Sequence, residues 1–256
     1  MGKILDIFMR RDKKQAVSWE DIKDILEPYR KPAWFPKVVE KKSSISSSKF
    51  SGVPILQNGE NWPCCEHCNE PMQLFLQLYA KHLPDEADTP FGNGVLQVFY
   101  CTNQSKECEV VCEAYFPYST STLVRVINPD NDDLATLTSN PVKDAFPEKE
   151  IVGWEVKDDY PNWEELEVLG CTLTDEQSDY LCEIGYPQSK DKLLGWPYWV
   201  QSVEYPDCPD CGKPMKLIFQ IDSENNLPYM FGDVGCSHVT QCDQHKDKMA
   251  IAWACC

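Results

Sequence analysis

One stretch of sequence occurs twice in this chain: residues 52–77 read GVPILQNGENWPCCEHCNEPMQLFLQ, and residues 195–220 read GWPYWVQSVEYPDCPDCGKPMKLIFQ. The copies align at a constant offset of 143 residues, and after a two-residue deletion the match continues at an offset of 141. Identity at a fixed spacing marks an internal duplication, so we expect two copies of one structural unit. The identical pairs are Gly52 and Gly195, Pro54 and Pro197, Pro63 and Pro206, Cys65 and Cys208, Cys68 and Cys211, Pro71 and Pro214, Met72 and Met215, Leu74 and Leu217, Gln77 and Gln220, Gly94 and Gly235, and Cys101 and Cys242.

Short apolar runs predict that each unit is built from β-strands. Residues 72–80 read MQLFLQLYA and residues 215–223 read MKLIFQIDS, and both are typical of a buried strand. Residues 94–101, GVLQVFYC, supply a partner strand. Few helical stretches separate these runs, which favours antiparallel pairing because parallel strands need long crossovers. The predicted fold is α+β, mostly antiparallel β, and internally duplicated.

Each copy carries a Cys-x-x-Cys pair directly before a strand, which is the pattern of a zinc knuckle. The pairs are Cys65–Cys68 in CCEHCNEPM and Cys208–Cys211 in CPDCGKPM. Such a turn favours a residue that tolerates a left-handed backbone just after the second cysteine. Gly212 meets this requirement in the second copy, and Asn69 is the next best choice in the first.

A tetrahedral site needs two further ligands in each copy. Cys101 and Cys242 follow the next strand at aligned positions, and we choose Cys108 and His245 as the fourth ligands. Cys112 is an alternative to Cys108, and Cys236, Cys255 and Cys256 are alternatives to His245. The sequence predicts two zinc ions, held by Cys65, Cys68, Cys101 and Cys108 and by Cys208, Cys211, Cys242 and His245. Cys64, Cys171 and Cys182 are expected to be ordinary thiols.

The expected role of these ions is structural, because four protein ligands leave no coordination position for water or substrate. None of the four histidines begins the His-x-Glu motif of a zinc deaminase. Thioredoxin-type chemistry would place the cysteine pair at the start of a helix in a βαβ unit. We therefore predict that the protein is not an enzyme. The enzyme alternative requires a pocket between the repeats, with the polar groups Gln77, Gln220, Asp222 and Asp233.

The charge balance narrows the choice of partners. The chain has 24 basic and 41 acidic side chains and a net charge of −17, which repels nucleic acid and anionic membranes. Residues 129–191 contain nine Asp and eight Glu against four Lys, a net charge of −13. This segment predicts an acidic surface for a basic protein partner. Its densest clusters are Asp130, Asp132 and Asp133, and Glu164, Glu165 and Glu167.

The N-terminal sequence and the cysteine content predict a cytoplasmic protein. The start, MGKILDIFMRRDKKQ, has only a four-residue apolar core, too short for a secretory signal. No stretch approaches the roughly 18 apolar residues of a membrane helix. In a reducing compartment, fourteen cysteines at these spacings favour metal binding over disulfides.

Changes in composition divide the chain into four segments. Residues 1–49 are predicted to hold a short helix in SWEDIKDILEPYRKP, capped by Ser18, and a Ser/Lys-rich linker. Residues 50–128 form the first zinc-binding repeat. Residues 129–191 form an acidic connector with short helices, one of which begins with Thr174 and Gln177 as a capping box. Residues 192–256 form the second zinc-binding repeat.

The chain resembles the YwqG-like family from Phe50 to its end. The resemblance rests on FSGVPILQNGENWPCCEHCNEPMQLFLQ, KLLGWPYWVQ, FQIDSENN, MFGDVGCSHVTQC and AIAWACC. It implies an internally duplicated α+β fold of unknown function, in which only some members carry cysteine pairs. Some YwqG-like proteins are thought to act as immunity proteins against toxins.

The first repeat also resembles the N-terminal part of the programmed cell death protein 2 group. The shared order is Gly52 and Pro54, the pair Cys65–Cys68, the stretch from Leu76 to Tyr79, and Cys101. That resemblance implies chaperoning of a new ribosomal protein, although the MYND-type zinc module of the group is missing here. We therefore expect a zinc-stabilised chaperone or adaptor for a basic protein segment, with toxin neutralisation as the alternative.

Overall fold

The computed structural model describes residues 16–88, 90–128 and 139–256, and its strands form one ten-stranded sheet. All neighbouring strands are antiparallel, which confirms the predicted fold class, α+β with mostly antiparallel β. The order across the sheet is β10-β9-β8-β7-β1-β6-β2-β3-β4-β5. The strands are β1 Lys31–Glu40, β2 Lys49–Phe50, β3 Gln73–Tyr79, β4 Val95–Tyr100, β5 Thr122–Ile127, β6 Lys149–Asp159, β7 Lys192–Leu194, β8 Lys216–Asp222, β9 Cys236–Gln241 and β10 Met249–Ala254.

The α-helices are short and lie outside the sheet. The predicted N-terminal helix is present, with Ser18 and Asp21 as its capping box, and the predicted Thr174–Gln177 capping box begins another helix. Ile22, Leu166 and Leu181 pack together in a separate small core. Among the described helices, none is long and apolar enough to cross a membrane. They are α1 Trp19–Leu26, α2 Cys108–Val111, α3 Trp163–Val168 and α4 Asp175–Glu183.

The duplication is visible in the strand order, which is symmetrical about the pair β1–β6. Strands β2 to β5 lie on one side of this pair, and β7 to β10 lie on the other. The first strand of each half is exchanged: β1 pairs with β7 of the second repeat, whereas β6 pairs with β2 of the first. The exchange makes the two repeats parts of one sheet.

The two central strands are the main difference from the sequence-based description. Residues 31–40, expected to lie in a helix-and-linker segment, form β1, and residues 149–159, expected to lie in an acidic connector, form β6. Much of each strand is exposed, so the sequence lacks the apolar run of a buried strand. In addition, β1 contains Pro32 and Pro36, residues that argue against a strand in the middle of a sheet.

One apolar core connects the two halves. The rings of Phe50 and Phe219, from opposite repeats, lie 6.1 Å apart, and Phe75 stacks on Tyr100 at 4.9 Å. The outermost strands β5 and β10 contact each other, so the sheet curls into a nearly closed barrel. The halves therefore share a single interior.

Two buried lysines fix both repeats to β6. Lys49 and Lys192 are aligned at the offset of 143, and burial lowers the pKa of each. Lys192 Nζ lies 2.8 Å from Asp159 Oδ2, and both side chains are fully buried. Lys49 Nζ lies 3.1 Å from Glu148 Oε1, whose side chain is 14% exposed. A charge left without its partner in such a place is costly, so these pairs hold the last residue of β6 and the residue just before its start.

Candidate metal centres

The two Cys-x-x-Cys turns have the same backbone geometry. The N–H after each second cysteine donates to the carbonyl of the first, from Asn69 to Cys65 and from Gly212 to Cys208, at 2.8 Å in both. Asn69 has a φ of 59° and Gly212 a φ of 63°. The left-handed residues expected from the sequence are therefore where the turn requires them. Each turn leads directly into β3 or β8.

The first candidate centre brings together Cys65, Cys68, Cys101 and Cys108. Cys101 follows β4 and Cys108 begins α2, so a turn, a strand end and a helix each contribute. The four sulfurs lie within 4.8 Å of one another, and the Sγ atoms of Cys68 and Cys101 are 3.8 Å apart. Leu74, Phe99 and Met72 surround this group with apolar surface.

The second candidate centre brings together Cys208, Cys211, Cys242 and His245. Cys242 follows β9, and His245 lies in the turn before β10. The His245 Nδ1 atom is 3.5 Å from Cys208 Sγ and 3.8 Å from Cys242 Sγ, while Cys211 and Cys242 have sulfurs 3.7 Å apart. The histidine takes the place that a helix cysteine holds in the first repeat.

These distances fit a tetrahedral zinc ion. With Zn–S bonds of about 2.3 Å, two sulfurs of a tetrahedron lie about 3.8 Å apart, and a sulfur and a nitrogen about 3.6 Å apart. The described cysteines are all free, so no disulfide competes for these sulfurs. Both groups are therefore compatible with zinc, and the identity of any bound ion stays a prediction.

The electrostatic environment differs between the two groups. Backbone N–H groups of His245 and Gln244 point at Cys242 Sγ, at 3.3 and 3.4 Å, and lower the pKa of this thiol to about 6. Burial instead raises the pKa of Cys108 to about 12. Because only the thiolate binds a metal, binding at neutral pH takes a proton from Cys108 but not from Cys242.

The alternative ligands lie outside both groups. Cys112 follows α2, and its carbonyl accepts a hydrogen bond from Ser119. Cys236 is buried inside β9, Cys255 lies against Gly232, and Cys256 is exposed. The cysteines expected to be ordinary thiols, Cys64, Cys171 and Cys182, are likewise in neither group.

A polar cluster next to the first centre was not predicted. Glu109, adjacent to Cys108, accepts hydrogen bonds from the hydroxyls of Tyr100 and Tyr229, and Tyr100 OH in turn accepts from Trp253 Nε1 at 2.9 Å. Tyr229 and Trp253 belong to the second repeat. The helix that carries Glu109 has only four residues, so the sequence gives no periodic signal for it.

One protein-family model matches most of the chain. A family model described as a domain of unknown function, DUF1963, matches residues 48–253. The chain belongs to this family. The match to DUF1963, the YwqG-like family, covers both repeats and the segment between them, and β1 lies before it. No curated protein matches the chain.

The polar residues considered for an enzyme site have structural contacts. Gln77 and Gln220 are fully buried and bind backbone at aligned positions: each accepts from a backbone N–H, of Ile55 and Tyr198 respectively. Asp222 accepts from the backbone N–H of Lys190, and Asp233 is exposed. These contacts account for the glutamines and Asp222 without catalysis, and the absence of enzymatic activity stays a prediction.

Proposed function

We propose that the protein is a zinc-stabilised, non-enzymatic binding module, and that it acts as a chaperone or adaptor for a basic protein segment. The observation that carries the proposal is the closed donor set of each cysteine group. Four protein atoms lie within 4.8 Å in both, so a bound ion is fully coordinated and holds the strands in place. The proposed binding function is then carried out by the protein surface and not by the metal ions.

The surface around α3 and α4 supports a basic partner. Residues 163–183 contain no Lys or Arg. Exposed apolar side chains, Trp163, Val168 and Leu169, lie in the same segment. An acidic surface with apolar contacts suits a positively charged segment that also carries apolar residues. The exposed carboxylates there are Glu167, Asp175, Glu176, Asp179 and Glu183.

One expected member of this surface is not part of it. Glu165 is 4% exposed and accepts hydrogen bonds from Trp199 Nε1 at 2.6 Å and Tyr205 OH at 2.9 Å. Burial raises its pKa. Neutralising it would disturb the interior, so it is excluded from charge variants. The predicted cluster Asp130, Asp132 and Asp133 lies outside the described residues.

The test is the binding of a labelled basic peptide to the zinc-loaded protein at low and high salt. The variant replaces Asp175, Asp179 and Glu183 with Asn, Asn and Gln, and the matched control replaces Glu40, Asp85 and Glu86 with Gln, Asn and Gln. We expect at least fivefold weaker binding for the variant at low salt, because exposed charges act within a Debye length of about 8 Å. Equal affinities for the variant, the control and the wild type would contradict the proposal.

The chaperone role rests on the order of motifs that the first repeat shares, in its sequence alone, with the programmed cell death protein 2 group. Toxin neutralisation and an enzyme remain the alternatives. If a toxin partner contacts another face, it should bind the charge variant and the wild type with the same affinity. The peptide titration therefore separates a basic-segment receptor from an immunity protein that uses another face.

A further inference from the structure

The two repeats differ in one row of residues that runs across three neighbouring strands. In the first repeat, Gln77, Gln97 and Arg125 lie side by side on β3, β4 and β5. In the second repeat, the same register places Gln220, His238 and Ala252 side by side on β8, β9 and β10. The two glutamines make equivalent backbone contacts in both repeats. The other two positions do not.

In the first repeat, an arginine fills the space next to Gln97. Arg125 Nε donates to Gln97 Oε1 at 3.0 Å, and Arg125 Nη1 pairs with Glu60. The guanidinium carbon lies 5.7 Å from the centre of the Phe99 ring. An acceptor, a carboxylate and an aromatic ring therefore hold this guanidinium.

In the second repeat, a small residue stands at the position of the arginine, and a cavity lies beside it. Ala252, which stands where Arg125 does, lines the cavity. Thr240 stands where Phe99 does, so this position has no aromatic ring. The cavity has a volume of about 130 Å³. It lies where β10 meets residues 115–117, which come from the first repeat. Its aromatic and polar lining residues include Phe116, Trp199, Glu204, Tyr205, His238 and Trp253.

The cavity offers an acceptor and a carboxylate, the two kinds of polar group that hold Arg125 in the first repeat. His238 is 5% exposed, and its Nε2 atom has no hydrogen-bond partner among the described residues. Burial lowers the pKa of His238 to about 3, so the ring stays neutral. The ring also makes a hydrogen bond with the Tyr198 backbone; because Nε2 is unpartnered, Nδ1 is the donor and Nε2 is left as the acceptor. Glu204, one residue past the position aligned with Glu60, is exposed at the cavity.

The walls of the cavity are held in place. The Trp199 ring lies 4.7 Å from the His238 ring, and Trp199 and Tyr205 both donate to the buried Glu165. Trp199 also lines a second cavity of about 430 Å³ that reaches Trp163 and Glu164 of α3. A chain lying along the acidic surface would therefore pass the mouth of the smaller cavity.

We propose that this cavity accepts an arginine side chain of the protein partner, with the guanidinium donating to His238 Nε2 and pairing with Glu204. The identity of the partner as a basic segment rests on the proposed function. The preference for arginine over lysine follows from the first repeat. A planar, multi-donor group reaches an acceptor and a carboxylate at once, whereas an ammonium is a point charge.

The direct test uses nuclear magnetic resonance with N-acetyl-arginine methylamide as the probe. The chain has only four histidines, so the ring nitrogens of labelled His238 are readily assigned in the zinc-loaded protein. We expect the arginine probe to shift His238 Nε2 with a Kd on the order of 1 mM. The lysine analogue should bind at least fivefold more weakly. An unmoved His238 signal, or equal binding of both probes, would overturn the proposal.

Variants separate recognition from misfolding. Ala252→Arg supplies the side chain found at Arg125 and should reduce probe binding at least tenfold, whereas Gln57→Arg, at an exposed site of the first repeat, adds the same charge and should change nothing. His238→Gln keeps an acceptor and should keep binding, and His238→Leu should lose it. Metal content and melting temperature verify folding. Loss of binding in the Gln57 variant would indicate a nonspecific charge effect and overturn the proposal.

Partner peptides distinguish this inference from the function on which it rests. If basic peptides bind the acidic surface but replacing arginine with lysine has no effect, the cavity proposal fails and the function stands. If the arginine probe binds at His238 but basic peptides do not bind the protein, the cavity stands and the proposed function fails.

Discussion

The two repeats form the same knuckle turn but complete it with different elements. In the first repeat, Cys108 lies on a helix whose next residue, Glu109, contacts tyrosines of both repeats. In the second, His245 lies in a turn between β9 and β10, and its Nδ1 atom contacts Cys208 and Cys242 of the same repeat. The comparison teaches that the turn and the first three ligands belong to the duplicated unit. The fourth ligand depends on what each half packs against.

Removing a metal ligand is the strongest way to test this comparison. We expect Cys65→Ser and Cys208→Ser to lower the free energy of unfolding by about 5 kcal/mol or more, because the binding energy of a structural ion is folding energy. The loss should be larger for Cys65, since α2 ties the first centre to the second repeat. Cys171→Ser and Cys182→Ser are the matched controls. Urea unfolding and elemental analysis are the measurements.

Two results would contradict the ligand assignment. One is equal destabilisation by all four cysteine variants. The other is protein purified without chelator that contains no metal, because the two groups predict about two equivalents of zinc. If Cys208→Ser is more destabilising than Cys65→Ser, the ligand assignment stands, but α2 does not add to the stability of the first centre as proposed.

The buried lysines provide the next test. Lys192→Met leaves Asp159 buried without its ion-pair partner and should cost about 3 to 5 kcal/mol. Lys49→Met should cost less, because the Glu148 side chain is partly exposed and water can solvate it. Denaturant unfolding of both variants at one pH gives the comparison. A Lys49 variant less stable than the Lys192 variant would show that burial does not decide the difference.

A smaller difference between the repeats, in the pH dependence of stability, is expected at Asp191, which aligns with Ser48. Burial raises the pKa of Asp191 to about 7, although backbone N–H groups of Asp222 and Asn226 oppose the shift. The contribution of protonated Asp191 to the free energy of unfolding is fully present below pH 3.8 and is lost as the pH rises through about 7. Between pH 5 and pH 7.5 the wild type should lose about 2 kcal/mol relative to Asp191→Asn. Parallel stability profiles for the two proteins would refute the shift.

The sequence predicted the repeated part of the molecule well. Chain spacing fixes which cysteines can meet, and a turn that needs a left-handed residue is recognisable from Asn69 and Gly212. The eight proposed ligands lie in two groups for these local reasons. Strands with a continuous apolar run, such as β3, were also recognisable.

Features that depend on distant contacts could not be predicted. The pairing of β1 and β6 depends on contacts throughout the sheet. Many of their residues are exposed, so their sequences lack the apolar pattern by which a strand is recognised. The burial of Glu165 depends on Trp199 and Tyr205, which lie more than thirty residues further along the chain. Likewise, the cavity at His238 is recognised only when the register shows that Ala252 occupies the position that Arg125 holds in the other repeat.

The exchanged first strand also has a consequence for the order in which the chain can fold. The partners of β1 are residues 149–159 and 193–194, so a chain made from its N-terminus holds this strand unpaired until most of the protein has been synthesised. Pairings of such high contact order close slowly. Pro32 and Pro36 each remove a backbone donor from β1, and an unpaired strand with missing donors is a poor template for joining other newly made chains.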